Sequence, residues 1–406
     1  MNKILIIGVY PIKVPRHGGQ KRVSAIVDMY HKAGLTVKYS AVFSKLFYSD
    51  YTTDDIPVGK MVNDEIMQSP FTGDMACGKA IFSDPIVKKH IKNIISTFNP
   101  DVIQVEQDYP YLGLKPLLDE IGIHPKIVMD SHNIEGPMKV EILKNSNVSE
   151  DIAIDIGKEL KSLEKQLAQD SKLIIACTRD DLDVLKRHKV PGMLLSLAPN
   201  GVALNRHDKA HTRYWRDKFS GMGVKRIATF IGSAHPPNWD GFMTMVGKGL
   251  GFLPADARIA LAGSISDMFE DNIKPDLTLT PEDVTFWLRA YAAGRMSEER
   301  LQGIIDFSDV ILLPITEGGG SNLKTAEAIV SGKKIVATSK AFRSFEKFKA
   351  LPWVSIVDKP SEFRSAIIDA LGNSNDPRKN LQAHPETNDV LWDNCLKDCV
   401  EKVKVL

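Results

Sequence analysis

Residues 4–9 form a nearly unbroken apolar run, the pattern of a parallel strand buried on both faces. A loop over 11–19 follows. Val23, Ile26, Val27 and Tyr30 then recur at helical spacing until Gly34, and 36–42 reads as a second strand. Strand, glycine-bearing loop, helix and strand make one βαβ unit. Residues 50–85 are polar and rich in turn formers, which predicts loops and short helices. Beyond them the spacing predicts an amphipathic helix over 86–98, stopped by Pro100-Asp101, and helices over 152–167 and 182–186. Short apolar runs predict strands at 102–105, 127–129 and 173–176. Pro199-Asn200-Gly201 is a turn signal.

After that turn the alternation restarts. Strands are expected at 227–231, 258–261, 284–288, 310–313 and 334–337, with helices at 242–248 and 321–330. The repeated βα pattern predicts an α/β protein with two Rossmann-like, doubly wound domains. The expected domains are 1–203 and 204–385, followed by a C-terminal segment, 386–406. A chain of 406 residues is long enough for two cores of ordinary size.

Composition narrows the class. A hydrophobic share of 43% and a charged share of 25% describe a globular chain, and a formal net charge of +1 gives no global field for nucleic acid. Any anion site must be local. Cys77, Cys177, Cys395 and Cys399 show no CxxC spacing, so structural zinc is not expected and a reducing compartment is. The apolar start ends at Gly8 and a turn, unlike a signal peptide, and no apolar run approaches the roughly 20 residues of a membrane span. These features predict a cytoplasmic protein. The helix over 86–98 carries Lys88, Lys89 and Lys92, a pattern that also suits peripheral contact with anionic lipid; its plainer reading packs Val87, Ile91, Ile94 and Phe98 inward.

The densest chemistry lies in 314–328, Pro-Ile-Thr-Glu-Gly-Gly-Gly-Ser-Asn-Leu-Lys-Thr-Ala-Glu-Ala, between an expected buried strand and a helix. Ligands of α/β proteins bind at such carboxyl ends of strands. Gly318, Gly319 and Gly320 allow backbone N–H groups close to an anion, and the helix beginning at Ser321, Asn322 and Leu323 offers phosphate its positive end. Lys324 stands in the first turn, where a cation is unfavourable unless an anion offsets it. Glu327, three residues on, shares its face and can accept paired hydrogen bonds from ribose hydroxyls. In the first half, Gly18-Gly19 follows the first strand and again permits close backbone approach. Arg16, Lys21 and Arg22 beside it could add charge, though each individually reads as a solvated surface residue. His132 lies in Asp130-Ser131-His132-Asn133 at the end of a buried strand, and Glu106 and Gln107 end another at similar depth.

The 314–328 segment resembles the donor-nucleotide motif of the family 4 retaining glycosyltransferases, in the variant Gly-Gly-Gly, Ser/Thr, two residues, Lys, two residues, Glu-Ala. The resemblance implies the two-domain GT-B fold, with a nucleotide-diphosphate sugar as donor and a C-terminal helix, for which 390–405 with Trp392 is the candidate, returning to the first domain. The acceptor would be a glycan or lipid-linked molecule, in the synthesis of bacterial surface polysaccharide or glycoconjugates. It gives Lys324 the diphosphate and Glu327 the donor ribose. Phe230-Ile231-Gly232-Ser233 with Pro237-Asn238 resembles the family's first donor-domain loop, and Gly294-Arg295 its Gly-Arg step near the base. Gly18-Gly19 resembles the family's first glycine loop, and His132 the histidine at the transferred sugar. Many relatives carry an Arg and a Lys after the first donor-domain loop. Here that loop reads Ser233-Ala234-His235-Pro236-Pro237-Asn238, leaving the cationic grip to Lys324 and Arg295. The place of the family's first glutamate holds Gly319.

Transfer without a metal or another cofactor is expected, since Lys324, the glycine amides and the helix end can stabilise the leaving diphosphate. Asp181 and Asp183 fall at a helix start and face different ways. Two competing readings remain: a sugar-nucleotide 2-epimerase of the same architecture, and a non-catalytic sugar-nucleotide-binding subunit. A dehydrogenase is disfavoured, because neither half carries GxGxxG followed by a ribose-binding acid.

Overall fold

The computed structural model describes residues 3–144, 146, 148–204, 209–272 and 280–406. The chain forms two compact units. One comprises Met1–Gly201, Gly319–Ser321 and Trp392–Leu406; the other comprises Val202–Gly318 and Asn322–Leu391. Just past the expected domain boundary at 203/204, residues 205–208 lie outside the described residues.

The described residues of the first unit build a parallel sheet from β1 (Lys3–Gly8), β2 (Thr36–Phe43), β3 (Ile56–Pro57), β4 (Val102–Glu106), β5 (Lys126–Ser131), β6 (Ser171–Ala176) and β7 (Leu194–Leu197), in the order β3-β2-β1-β4-β5-β6-β7. Ile4–Ile7, Val102, Ile103, Val105, Val128 and Met129 are fully buried, as strands covered on both faces require. The second unit repeats the plan with β8 (Arg226–Ile231), β9 (Ala257–Ala262), β10 (Ala290–Gly294), β11 (Val310–Leu313), β12 (Lys334–Ala337) and β13 (Val354–Ile356), in the order β10-β9-β8-β11-β12-β13. Strand order reverses beside β1 and β4 in one sheet and beside β8 and β11 in the other. Those are the switch points at which doubly wound sheets open a crevice.

The structure redraws several expected elements. Residues 284–288 are not a strand but belong to the helix Pro281–Arg289, and the strand follows at β10. Thr280 caps that helix reciprocally with Asp283, and Pro281 pre-sets its first turn. The helix expected from 242 starts at Pro236, and the one expected from 321 starts at Leu323, with Asn322 as its cap. The helix expected over 390–405 is broken into Trp392–Cys395 and Lys397–Lys404. Its first residues are taken elsewhere: the Val202 N–H donates to the Val390 carbonyl, and Leu391 bridges to Val202 with extended backbone. From Trp392 the tail joins the first unit, where Ser196 Oγ donates to Asp398 at 2.5 Å and Lys402 Nζ to the Leu195 carbonyl at 2.6 Å. The helix Pro85–Phe98 buries Val87, Ile91 and Ile94 with Phe98 packed against the same core, its inward-packing reading. No helix among the described residues is long and apolar enough to cross a membrane.

Candidate functional site

The glycine-bearing segment leaves β11 of the second unit at the switch point, and its residues Gly319–Ser321 belong to the first unit. Gly318 (φ 100°) and Gly320 (φ 63°) both take left-handed backbone, which a side chain at either position would strain. Two cations from the turn after β12 hold the segment by its carbonyl oxygens. Lys340 Nζ donates to Thr316 O at 2.9 Å, and Arg343 Nη1 donates to Gly318 O. Ser321 accepts at Oγ from the Asn200 N–H at 3.1 Å and at its carbonyl from Asn200 Nδ2 at 2.9 Å.

The helix Leu323–Ser331 then begins, its first turn holding no acidic residue. Lys324 is half-buried there and points back toward the loop after β8. Its Nζ donates to Asn238 Oδ1 at 2.6 Å and lies 5.5 Å from the centre of the Phe230 ring. Asn238 Nδ2 in turn holds Ser233, at the carbonyl (3.1 Å) and at Oγ (3.0 Å). Lys324 therefore meets a neutral amide and an aromatic face, which compensate a charge poorly. Burial pushes its pKa down to about 8, against the charge of Glu327. Burial and then the Lys324 charge also lower the pKa of His235. The result is a positive helix terminus, a cation lacking full solvation and glycine backbone at the end of a buried strand, a combination suited to a phosphate group.

Arg295 behaves differently. It is exposed and forks onto Asp267, with Nη2 at 2.6 Å and Nε at 3.1 Å. Gly232 lies buried at the end of β8 and Ser233 exposed beside it. Sequence reasoning gave Asn238 no role beyond the resemblance and did not single out Lys340 or Arg343. Only the pairing of β11 with β12 brings the last two beside the glycine segment.

The first unit holds a buried charge cluster at its own switch point. β4 and β5 pair with Glu106 opposite Asp130. Alternation along β4 puts Gln104 and Glu106 on one face. The helix Gly18–Lys32, capped reciprocally by His17 and Gln20, presents Arg22 and Tyr30 to that face from positions two turns apart. Tyr30 donates to Gln104 at 2.7 Å, and Gln104 Nε2 donates to Glu106 Oε1 at 2.7 Å. Arg22 forks onto Asp130 through Nε (2.9 Å) and Nη2 (2.6 Å), and its Nη1 reaches the Ala198 carbonyl at 2.8 Å. The expectation that Arg22 is solvated is thus corrected: it is 1% exposed, because Asp130 compensates its burial. Gly18 and Gly19 open the same helix, and a Cβ on Gly19 would stand 2.6 Å from the Tyr10 hydroxyl.

His132 completes the cluster and, at 8% exposed, is less buried than Arg22, Glu106 or Asp130. Its Nε2 lies 3.0 Å from Glu106 Oε2 and 3.4 Å from Asp130 Oδ2, and its Nδ1 lies 3.3 Å from the Tyr10 hydroxyl. Burial opposes the imidazolium, but the hydrogen bonds and charges of Asp130 and Glu106 prevail and lift its pKa to about 9. Burial and the Asp130 charge raise Glu106 to about 7, while Arg22 and His132 overcome burial to hold Asp130 below the usual carboxylate range. With His132 protonated, two cations balance two carboxylates. Glu106, Asp130 and His132 are also the one group of three among the described residues whose ligand atoms converge as a metal would require. The Arg22 fork engages both Asp130 oxygens, so the residues balance one another without a further cation.

No family model matches the sequence, and no curated protein matches it. Solved structures do match the fold. A glycosyltransferase from Rickettsia africae superposes with a TM-score of 0.67 at 16% identity, over 99% of this chain and 98% of its own. A sucrose-phosphate synthase from Thermosynechococcus elongatus gives 0.63 at 14%, over 100% and 95%. HepE of Anabaena, crystallised with UDP and glucose, gives 0.62 at 13%, over 100% of both chains. The chain therefore has the two-domain α/β fold called GT-B.

Proposed function

We propose that the protein is a glycosyltransferase that takes a sugar from a nucleotide-diphosphate donor. The observation that carries this reading is Lys324. It is a half-buried ammonium at a helix N-terminus beside a glycine segment, bonded to an amide and facing a ring, and the charge of Glu327 does not offset its burial. A diphosphate is the partner that such a cation lacks. Support for a sugar nucleotide comes from Glu327 one turn away and from the fold, shared with HepE, which was crystallised with UDP-glucose at 12% identity.

In this reading the acceptor oxygen attacks the anomeric carbon, the bond from that carbon to the diphosphate oxygen breaks, and the nucleoside diphosphate leaves. Lys324, the Gly318 amide and the helix terminus stabilise the charge that develops on it. Glu327 accepts hydrogen bonds from the ribose. The acceptor proton passes to a donor phosphate oxygen, and the anomeric configuration is retained, as the resemblance implies. For His132 the resemblance implies contact with the transferred sugar.

The test is turnover of a panel of UDP- and GDP-sugars with glycan and lipid-linked acceptors, with products identified by mass spectrometry and their anomeric configuration by NMR. Glu327→Ala should stay folded and lose transfer by roughly 100-fold or more, the scale of about 3 kcal/mol of lost hydrogen bonding to a carboxylate. Transfer by that variant at the parental rate would defeat the site assignment. Conversion of free donor to a new sugar nucleotide without acceptor would favour the epimerase.

A further inference from the structure

A cavity lies in the second unit at the opposite end of the helix that carries Lys324. It encloses about 640 Å³, within the range of small-molecule sites. One wall is the helix Lys209–Gly221. Lys209, Arg213 and Arg216 are spaced four and three residues apart, so they form a single stripe on it. The facing wall brings Lys333, from the turn after the Lys324 helix, and Arg378. The cavity also touches two acids, both already engaged. Asp306 accepts from Gln302 Nε2 at 2.7 Å and from Thr212 Oγ1 at 3.5 Å, and Asp376 caps its own helix through the N–H groups of Arg378 and Lys379.

The cations are not neutralised in the same way. Among the described residues, Lys209, Arg213, Arg216 and Arg378 make no side-chain ion pair. The stripe also costs its own helix. Like charges four apart repel, and two of them stand in the N-terminal half of a helix whose first turn has no acidic residue. Lys333 gives its Nζ to the Asp306 carbonyl at 2.6 Å, and burial lowers its pKa. Mutually repelling cations, unpaired among the described residues and lining a concave wall on two sides, favour an anion with charge at both ends.

We infer that this cavity binds a small organic polyanion carrying two or more negative charges, such as a phosphorylated sugar, at a site separate from the donor pocket. Its concavity favours a small molecule over a nucleic acid or a lipid surface. The inference does not depend on the proposed transfer reaction.

Inorganic pyrophosphate is the probe, titrated calorimetrically into full-length Lys324→Ala protein, which removes the competing grip at the glycine segment. Binding is expected, and the further double change Arg213→Ala/Arg216→Ala should weaken it at least tenfold. Both arginines are exposed, so the variant should melt as its parent does. Raising salt from 50 to 200 mM should weaken binding in the parent more than in the double variant. Three results would overturn the inference: no heat up to 10 mM pyrophosphate, parental affinity in the double variant, or binding in wild type that Lys324→Ala abolishes. A 20-nucleotide RNA that binds and is not displaced by 5 mM pyrophosphate would overturn the small-molecule assignment.

Discussion

Replacing Lys324 with Met should stabilise the free protein while destroying the proposed anion site. The ammonium pKa falls from its ordinary 10.5 to about 8. At about 1.4 kcal/mol per pH unit this corresponds to roughly 3 kcal/mol of lost charge solvation in the folded state near neutrality. Methionine fills similar space without the charge. Against that gain stands the Asn238 oxygen, which loses its donor at a cost of about 1–2 kcal/mol. The net is a gain of about 1–2 kcal/mol, and for a domain of this size a melting temperature higher by roughly 2–8 °C. Nucleoside diphosphate should bind at least tenfold more weakly, since a charged hydrogen bond is worth about 1.5–3 kcal/mol. The pH dependence has a definite sign. Lys324 holds its proton less firmly when folded, so free wild-type protein gains stability as pH rises from about 8 toward 10.5, and Lys324→Met should not share that gain. Binding of UDP to wild type should weaken by up to tenfold per pH unit above 8. Melting curves and titration calorimetry on both proteins provide the check. A variant that melts below wild type and binds UDP equally well would refute the picture of a poorly compensated cation.

Arg22→Ala strands a buried Asp130 carboxylate, and removing one partner of such a pair costs about 3–5 kcal/mol. Arg22→Lys, which cannot fork, should fall between it and wild type; urea denaturation giving equal stabilities for all three would contradict the assignment. His132 should titrate near pH 9 by NMR, identified by its absence in His132→Gln, and Glu106→Gln should lower that value. Its stabilising effect is complete below pH 6.5 and lost as pH rises through about 9, so an inflection at or below 6.5 would exclude the protonated ring.

The sheets were legible because parallel strands buried on both faces must be apolar throughout, as residues 4–7 and 310–313 are. Edge strands obey no such rule. β7 and β13 are short and part-exposed, so their sequences carry little signal. Residues 284–288 mislead because their apolar and aromatic residues suit a strand, yet Trp287 and Leu288 are exposed and the Thr280 cap decides the element. In the proposed donor site, Lys324 and Glu327 stand out from local spacing alone, because three positions apart on one helix they share a face. Arg22 could not be read this way. What allows its burial is Asp130, 108 positions away, and no local pattern reports a partner that only the pairing of strands brings near. The same holds for Lys340 and Arg343 beside the glycine segment.

The four-charge cluster ties assembly of the first unit to proton uptake. An unfolded chain at pH 8 carries His132 neutral, whereas the folded one carries it as imidazolium between two carboxylates. Folding at that pH must therefore draw close to one proton from the medium at this site. The heat of unfolding should then differ between Tris and phosphate in proportion to the ionisation enthalpies of the two buffers.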